Sequence, residues 1–147
     1  MRFGAWILMA ALCGVAVAAD GLPQDTNEIK SLTVEQAKAL AQHKGSLSLN
    51  GLTTLSIQVA TALALHNGSL GLYGLITVSV EVAKALAQHE GDLDLNGLTT
   101  LSVEAARALA QNKGWLRLNG LTTLSAKAAA SLRANPLVQL PDKFKRQ

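Results

Sequence analysis

Five residues of types that bind ligands lie close together in the repeat pattern of this chain: Tyr73, Asp92, Asp94, Trp115 and Arg117. The last four form two pairs, and in each pair a leucine separates the two residues. If such a run is a β-strand, the leucine faces the core and the pair faces solvent. Tyr, Trp and Arg dominate binding energy at protein interfaces, so one interpretation is an anchor patch for a ligand.

A second interpretation explains the same residues without a ligand. In it, Arg117 pairs with Asp94 across adjacent strands, and Trp115 covers an end of the folded array. An exposed pair of this kind contributes only about 0–1 kcal/mol. Both interpretations share the same outward-facing positions, which read Ser46/Ser48, Ser69/Gly71, Asp92/Asp94 and Trp115/Arg117 along the chain.

Residues 92–97 (DLDLNG) begin like an EF-hand calcium loop, which needs oxygen ligands at alternate positions and a glycine at the bend. The closing glutamate is due at position 12, where Val103 stands, and Glu104 follows one place late. The same phase reads SLSLNG at residues 46–51. A structural repeat therefore explains the segment better than calcium does, and we predict no metal here.

Three histidines, His43, His66 and His89, follow one another at intervals of 23 residues. Stacked imidazoles can bind a transition metal. Solvated histidines near the negative ends of helices explain the spacing as well, and Asn112 interrupts the series. The sequence favours solvated histidines and predicts no metal or other cofactor.

Catalysis and nucleic-acid binding find little support in the sequence. We find no nucleophile with a nearby base, no phosphate-cradling glycine loop and no carboxylate pair held in a cleft, so we do not expect an enzyme. The net charge is +3, with both signs scattered along the chain. Nucleic-acid binding would require a clustered basic surface.

All these residues are carried by a repeat of 23 residues, whose clearest copies span 51–73, 74–96 and 97–119. A fixed period of this size indicates a solenoid, in which stacked repeats share one core. A partial copy precedes them, and the last one slips by one residue at Pro136. Atypical ends of this kind are typical of terminal caps.

Each repeat predicts one helix and one strand. In one copy Ser102 is the predicted N-cap, Glu104 lies in the first turn, and Gly114 is a left-handed stop after about three helical turns. The strand follows each glycine and ends at a turn such as Asn50-Gly51. The fold class is therefore α/β: a right-handed solenoid with a parallel sheet and helices on the opposite side.

The leucine frame L-x-L-x-x-L-x-x-L at 47–55 and 93–101 resembles the leucine-rich-repeat superfamily, in a short bacterial form, over roughly residues 28–141. The chain departs from the common frame because Leu98 and its equivalents occupy the usual asparagine position, whereas asparagine directly follows the strand. The resemblance implies a binding or scaffold role for the strand face and no catalytic motif. Because of this departure, the resemblance does not predict horseshoe curvature for this chain.

The ends of the chain differ from the repeats. Residues 1–19 read as an export signal with an apolar run and a small-residue cleavage site; an uncleaved membrane anchor is the alternative, but the run is shorter than the roughly 20 residues that span a bilayer. Residues 20–27 read as a linker, 28–141 as the solenoid and 142–147 as a basic tail.

Together these features predict an exported protein, periplasmic, cell-surface or secreted. We expect a protein-binding module whose strand face recognises a protein or cell-envelope ligand, without nucleic acid and without a membrane span after signal removal. The alternative is a structural spacer that self-associates through an exposed sheet edge.

Overall fold

A computed structural model describes residues 26–145, so the predicted signal at 1–19 and most of the predicted linker lie outside the described residues. The helices are α1 (Val34–Ala41), α2 (Ile57–Leu63), α3 (Val80–Leu86), α4 (Val103–Leu109), α5 (Ala126–Arg133) and α6 (Asp142–Lys145), preceded by a 3-10 turn at Thr26–Glu28. The strands are β1 (Leu47–Ser48), β2 (Leu70–Gly71), β3 (Leu93–Asp94), β4 (Leu116–Arg117) and β5 (Val138–Gln139). The five strands form one parallel sheet in chain order, which confirms the predicted α/β repeat solenoid.

The strand register follows the 23-residue period until the last pair. Leu70 pairs with Leu93, and Leu93 with Leu116, but Leu116 pairs with Val138, 22 residues on. The one-residue slip predicted at Pro136 is therefore absorbed before β5. The sequence analysis did not predict β5, because Pro136 replaces the glycine that precedes every other strand.

One continuous core runs through all the repeats. The strand leucines, such as Leu93 and Leu95, are fully buried, as are Ala83 and Leu86 from the helix that packs behind them. Full burial of a leucine contributes roughly 1.5–3 kcal/mol. Because each repeat supplies only a few such residues, stacking of neighbours is what makes the core large enough to be stable.

Serine or threonine caps the first five helices, as the sequence predicts. Each cap side chain accepts a hydrogen bond from the backbone N–H three residues on; the caps are Thr33, Ser56, Ser79, Ser102 and Ser125. The prediction of about three helical turns is wrong, since these helices have seven or eight residues, about two turns. They end early because the next amides bond three residues back, as His89 N–H does to the Leu86 carbonyl at 3.0 Å.

The glycine after the helix is not the predicted left-handed stop in most repeats. Within residues 26–145 only Gly45 has a positive φ, 98°. At Gly114 an added Cβ would instead overlap the carbonyl oxygen of Gly91 in the preceding repeat. The glycines at 68, 91 and 114 are therefore required by close approach between backbones of neighbouring repeats.

The prediction of solvated histidines is wrong for His66 and His89, which are 1% and 0% exposed. Their rings stack in parallel with centroids 6.2 Å apart. Side chains at this position are buried where a repeat lies on both sides, as at His66, His89 and Asn112, and only half-buried at the two ends of the series, His43 and Asn135. At this position the His66 ring forms a hydrogen bond with the preceding repeat, since its Nε2 lies 2.8 Å from the Gly45 carbonyl oxygen.

Asn112 continues this series rather than interrupting it. Asn112 Nδ2 donates to the Gly114 carbonyl, and Asn135 Nδ2 donates to the Asn112 carbonyl, both at 2.9 Å. We call His43, His66, His89, Asn112 and Asn135 the turn ladder. Buried carbonyl groups need donors, and in these turns the ladder side chains supply several of them.

Both described ends of the array are covered. The Thr26 hydroxyl donates to the Ser48 carbonyl on the outer edge of β1, although residues 26 and 27 belong to the predicted linker. In the predicted basic tail, Phe144 packs against the core and Lys143 donates to the Thr122 carbonyl at 2.7 Å. No helix in residues 26–145 is long and apolar enough to cross a membrane.

Candidate functional site

The outward-facing positions of β1 to β4 surround a shallow, solvent-open depression of about 260 Å³ on the strand face. Its side chains come from four successive repeats: Ser46, Ser48, Ser69, Tyr73, Asp92, Asp94 and Arg117, with Gly71 between them. The structure therefore brings together four of the five predicted site residues. The fifth, Trp115, lies beside the depression, is 44% exposed, and donates its backbone N–H to Asp92 Oδ1 at 3.2 Å.

Asp94 is the most connected residue of the site. It is only 7% exposed, and its Oδ2 accepts the Tyr73 hydroxyl at 2.8 Å. The same oxygen lies 3.6 Å from Arg117 Nη1, so the predicted pairing across adjacent strands is present. Because the Arg117 side chain is 41% exposed, the ion pair contributes little stability, about 0–1 kcal/mol.

A backbone requirement explains why Asp94 is buried. Just after the strands end, asparagine side chains link one repeat to the next. Asn50 Oδ1 accepts Tyr73 N–H at 3.4 Å, and Asn96 Oδ1 accepts Asn119 N–H at 2.8 Å. We call positions 50, 73, 96 and 119 the strand-end ladder. Tyr73 has no amide oxygen to continue it, and Asp94 Oδ1 accepts the Asn96 N–H at 3.2 Å instead.

Tyr73 lies across the gap left by a glycine. A Cβ at Gly71 would come within 3.1 Å of Tyr73 Cε2, so the missing side chain leaves room for the ring. The hydrogen bond to Asp94, followed by burial and by the negative charge of Asp94, raises the pKa of Tyr73. The phenol is therefore held in its neutral, donating form, while 44% of the residue stays exposed.

Asp92 differs from Asp94 in its surroundings. Among the described residues, its carboxylate accepts one hydrogen bond, from the Trp115 backbone N–H. Lys113–Glu90, Arg117–Asp94 and Lys145–Asp142 form ion pairs in residues 26–145, and Asp92 belongs to none of the three. Asp92 therefore places an uncompensated negative charge at the rim of the depression.

The depression offers groups that can form hydrogen bonds with a ligand. Hydroxyl groups of Ser46, Ser48 and Ser69 can donate or accept hydrogen bonds, and they line the same depression as Asp92, the Asp94–Arg117 ion pair and Tyr73. The calcium-like segment 92–97 forms β3 and the following turn, with Leu93 and Leu95 fully buried. Among the described residues, no group of three or more His, Cys, Asp or Glu is placed to hold a metal ion.

Sequence reasoning placed the serines and Gly71 on the outward face but did not assign them to the site. The available signal was Gly71 itself. It is the only position without a side chain in the outward series Ser48, Gly71, Asp94 and Arg117, and a gap between larger neighbours marks a depression.

No protein-family model, no curated protein and no solved structure matches this chain.

Proposed function

We propose that the protein is an exported, leucine-rich-repeat-like module that binds a protein ligand through its strand face. The observation that carries this proposal is the depression lined by Tyr73 and Asp92, with Trp115 next to Asp92. Both aromatic residues are 44% exposed, although aromatic side chains gain on the order of 2 kcal/mol when a partner covers such a surface.

The repeat frame does not require these residues. Leucine, alanine and glycine recur at most core positions because stacking needs them, whereas the outward pairs differ from repeat to repeat. Two of the changes are coupled, since Asp94 compensates for Tyr73 in the strand-end ladder. A chain built only to be a spacer gains nothing from this coupled pair.

Export is the part of the proposal that rests on residues 1–19. Mass spectrometry of the protein recovered from each cell fraction tests it. We expect a chain outside the cytoplasm that has lost about 19 N-terminal residues; an intact chain confined to the cytoplasm would contradict export.

The binding proposal is tested by affinity capture from an envelope extract of the producing cells. The parent protein is compared with Trp115→Ala/Arg117→Ala, and with Ile57→Ala/Arg107→Ala as a matched control, which removes an exposed apolar residue and an arginine from helices α2 and α4. Circular dichroism first establishes that all three are equally folded.

We expect a protein retained by the parent and by the control but lost by the strand-face variant. Equal retention by all three would refute the strand face as the binding surface. Recovery of the protein's own copies alone would favour the spacer, although at β1 the Thr26 hydroxyl already occupies an edge carbonyl that self-association would use.

A further inference from the structure

We infer that the depression accepts a cationic side chain, lysine or arginine, of the partner, and that Asp92 is the residue that binds its charge. This inference rests on the proposed function and names the chemistry of the ligand at the same site.

The two carboxylates of the site are not equivalent. Asp94 is saturated, because it holds the Tyr73 hydroxyl, the Asn96 amide and the Arg117 guanidinium. Asp92 holds only a backbone amide and has no cation among residues 26–145. A carboxylate left at a recognition surface in this state is a receptor for charge-assisted hydrogen bonds.

The charges of the lining select a cation over other ligands. Arg117 is already balanced by Asp94, so the lining carries a net charge of −1 from Asp92. A neutral sugar or an apolar side chain would cover this carboxylate without compensating it, which costs free energy. An ammonium or guanidinium group would be compensated by Asp92 and would find hydroxyl acceptors at Ser46 and Ser69.

The size of the depression favours a side chain of a larger partner. Pockets for small molecules usually measure about 300–1,000 Å³, and this one is smaller, about 260 Å³, and open. The aromatic ring of Tyr73, which lines the depression, adds a surface that attracts cations.

The test is an amide-resolved NMR titration of the purified protein with two blocked tripeptides, acetyl-Gly-Lys-Gly-amide and acetyl-Gly-norleucine-Gly-amide. They differ only in the ammonium group. Further arms use the arginine tripeptide and glucose. The variants are Asp92→Asn, which keeps an oxygen for the Trp115 amide, and Glu104→Gln, which removes the same charge from helix α4; thermal unfolding shows that both are folded.

We expect saturable shifts at amides of residues 69–71 and 92–94 with the lysine or arginine peptide. Binding should be at least about fivefold weaker for norleucine and for Asp92→Asn, the effect of roughly 1 kcal/mol, and unchanged for Glu104→Gln. Equal binding of lysine and norleucine, unchanged affinity in Asp92→Asn, no saturable shifts, or binding of glucose alone would overturn the inference. None of these results would contradict a partner captured through the strand face. Failure of the cation inference can therefore be distinguished from failure of the proposed binding function.

Discussion

Asp94 owes its burial to Tyr73, the residue 21 positions before it. A tyrosine in the strand-end ladder leaves the next backbone amide without its usual asparagine oxygen, and Asp94 replaces that oxygen while also accepting the phenol. The two substitutions away from the repeat consensus therefore form one unit. The Asn96 amide therefore keeps a hydrogen-bond acceptor although Tyr73 interrupts the strand-end ladder.

A double-mutant cycle tests this coupling. Asp94→Ala leaves the Asn96 amide and the Tyr73 hydroxyl unpaired and should lower the free energy of unfolding by about 2 kcal/mol. Adding Tyr73→Asn restores an amide oxygen to the ladder, so we expect the double variant to be more stable than Asp94→Ala alone. Urea denaturation measures the free energy of unfolding of the parent, of each single variant and of the double variant. Simple additivity of the two single changes would show that the residues are independent.

The phenol itself reports on the site, because the chain contains one tyrosine. Its hydrogen bond to Asp94 raises the pKa of Tyr73. Ultraviolet titration of the folded protein should therefore show ionisation above the ordinary value of about 10, and Asp94→Asn should bring the midpoint back towards it. The same midpoint in parent and variant would mean that Asp94 does not hold the phenol in solution.

Burial lowers the pKa of His89. Nearby backbone carbonyls, those of Ala64, Gly68 and Asp92, raise it again but only in part, and the charge of His66 lowers it further. The unfolded chain therefore binds a proton more readily than the folded one. Stability should be greatest above the ordinary histidine pKa of about 6.5 and decrease as the pH falls below it, until the lowered folded pKa is passed.

Denaturation between about pH 7 and pH 5 measures this decrease, with His89→Asn as the test variant because asparagine occupies the same ladder position in a later repeat. The variant should lose part of the pH dependence. An identical pH dependence in parent and His89→Asn would contradict the role of burial.

At the scale of the elements, close backbone contact between repeats is the strictest requirement. A Cβ at Gly97 would overlap the Tyr73 carbonyl oxygen, whereas at Gly45 nothing lies within 4 Å and only the positive φ opposes a side chain. Gly97→Ala should therefore cost at least about 3 kcal/mol, and Gly45→Ala about 1–2 kcal/mol. Thermal unfolding compares them. A smaller loss for Gly97→Ala than for Gly45→Ala would reverse this interpretation.

Local patterns predicted the elements where the cause is local. Ser102 and its equivalents cap helices because a side-chain oxygen three residues before an amide needs no tertiary contact. The burial of His66 and His89 was not predictable in the same way, because it occurs where repeats on both sides cover the turn. The same holds for Gly114, whose requirement comes from a carbonyl one repeat away.

At the scale of the whole molecule, the 23-residue period predicted the parallel sheet and its register as far as β4. It also predicted which side chains share the strand face, since alternation along a strand is independent of tertiary detail. It could not distinguish Asp92 from Asp94. That difference depends on distances across three repeats, from Tyr73 to Asp94 and from Asp94 to Arg117.

The proposal that the strand face binds the partner can be tested on the complex itself. Hydrogen–deuterium exchange is measured on the protein alone and with the captured partner. Exchange should slow at residues 69–73, 92–96 and 115–119, around the depression, and stay unchanged in helices α2 to α4. Protection confined to those helices, with the strand face unchanged, would contradict the account.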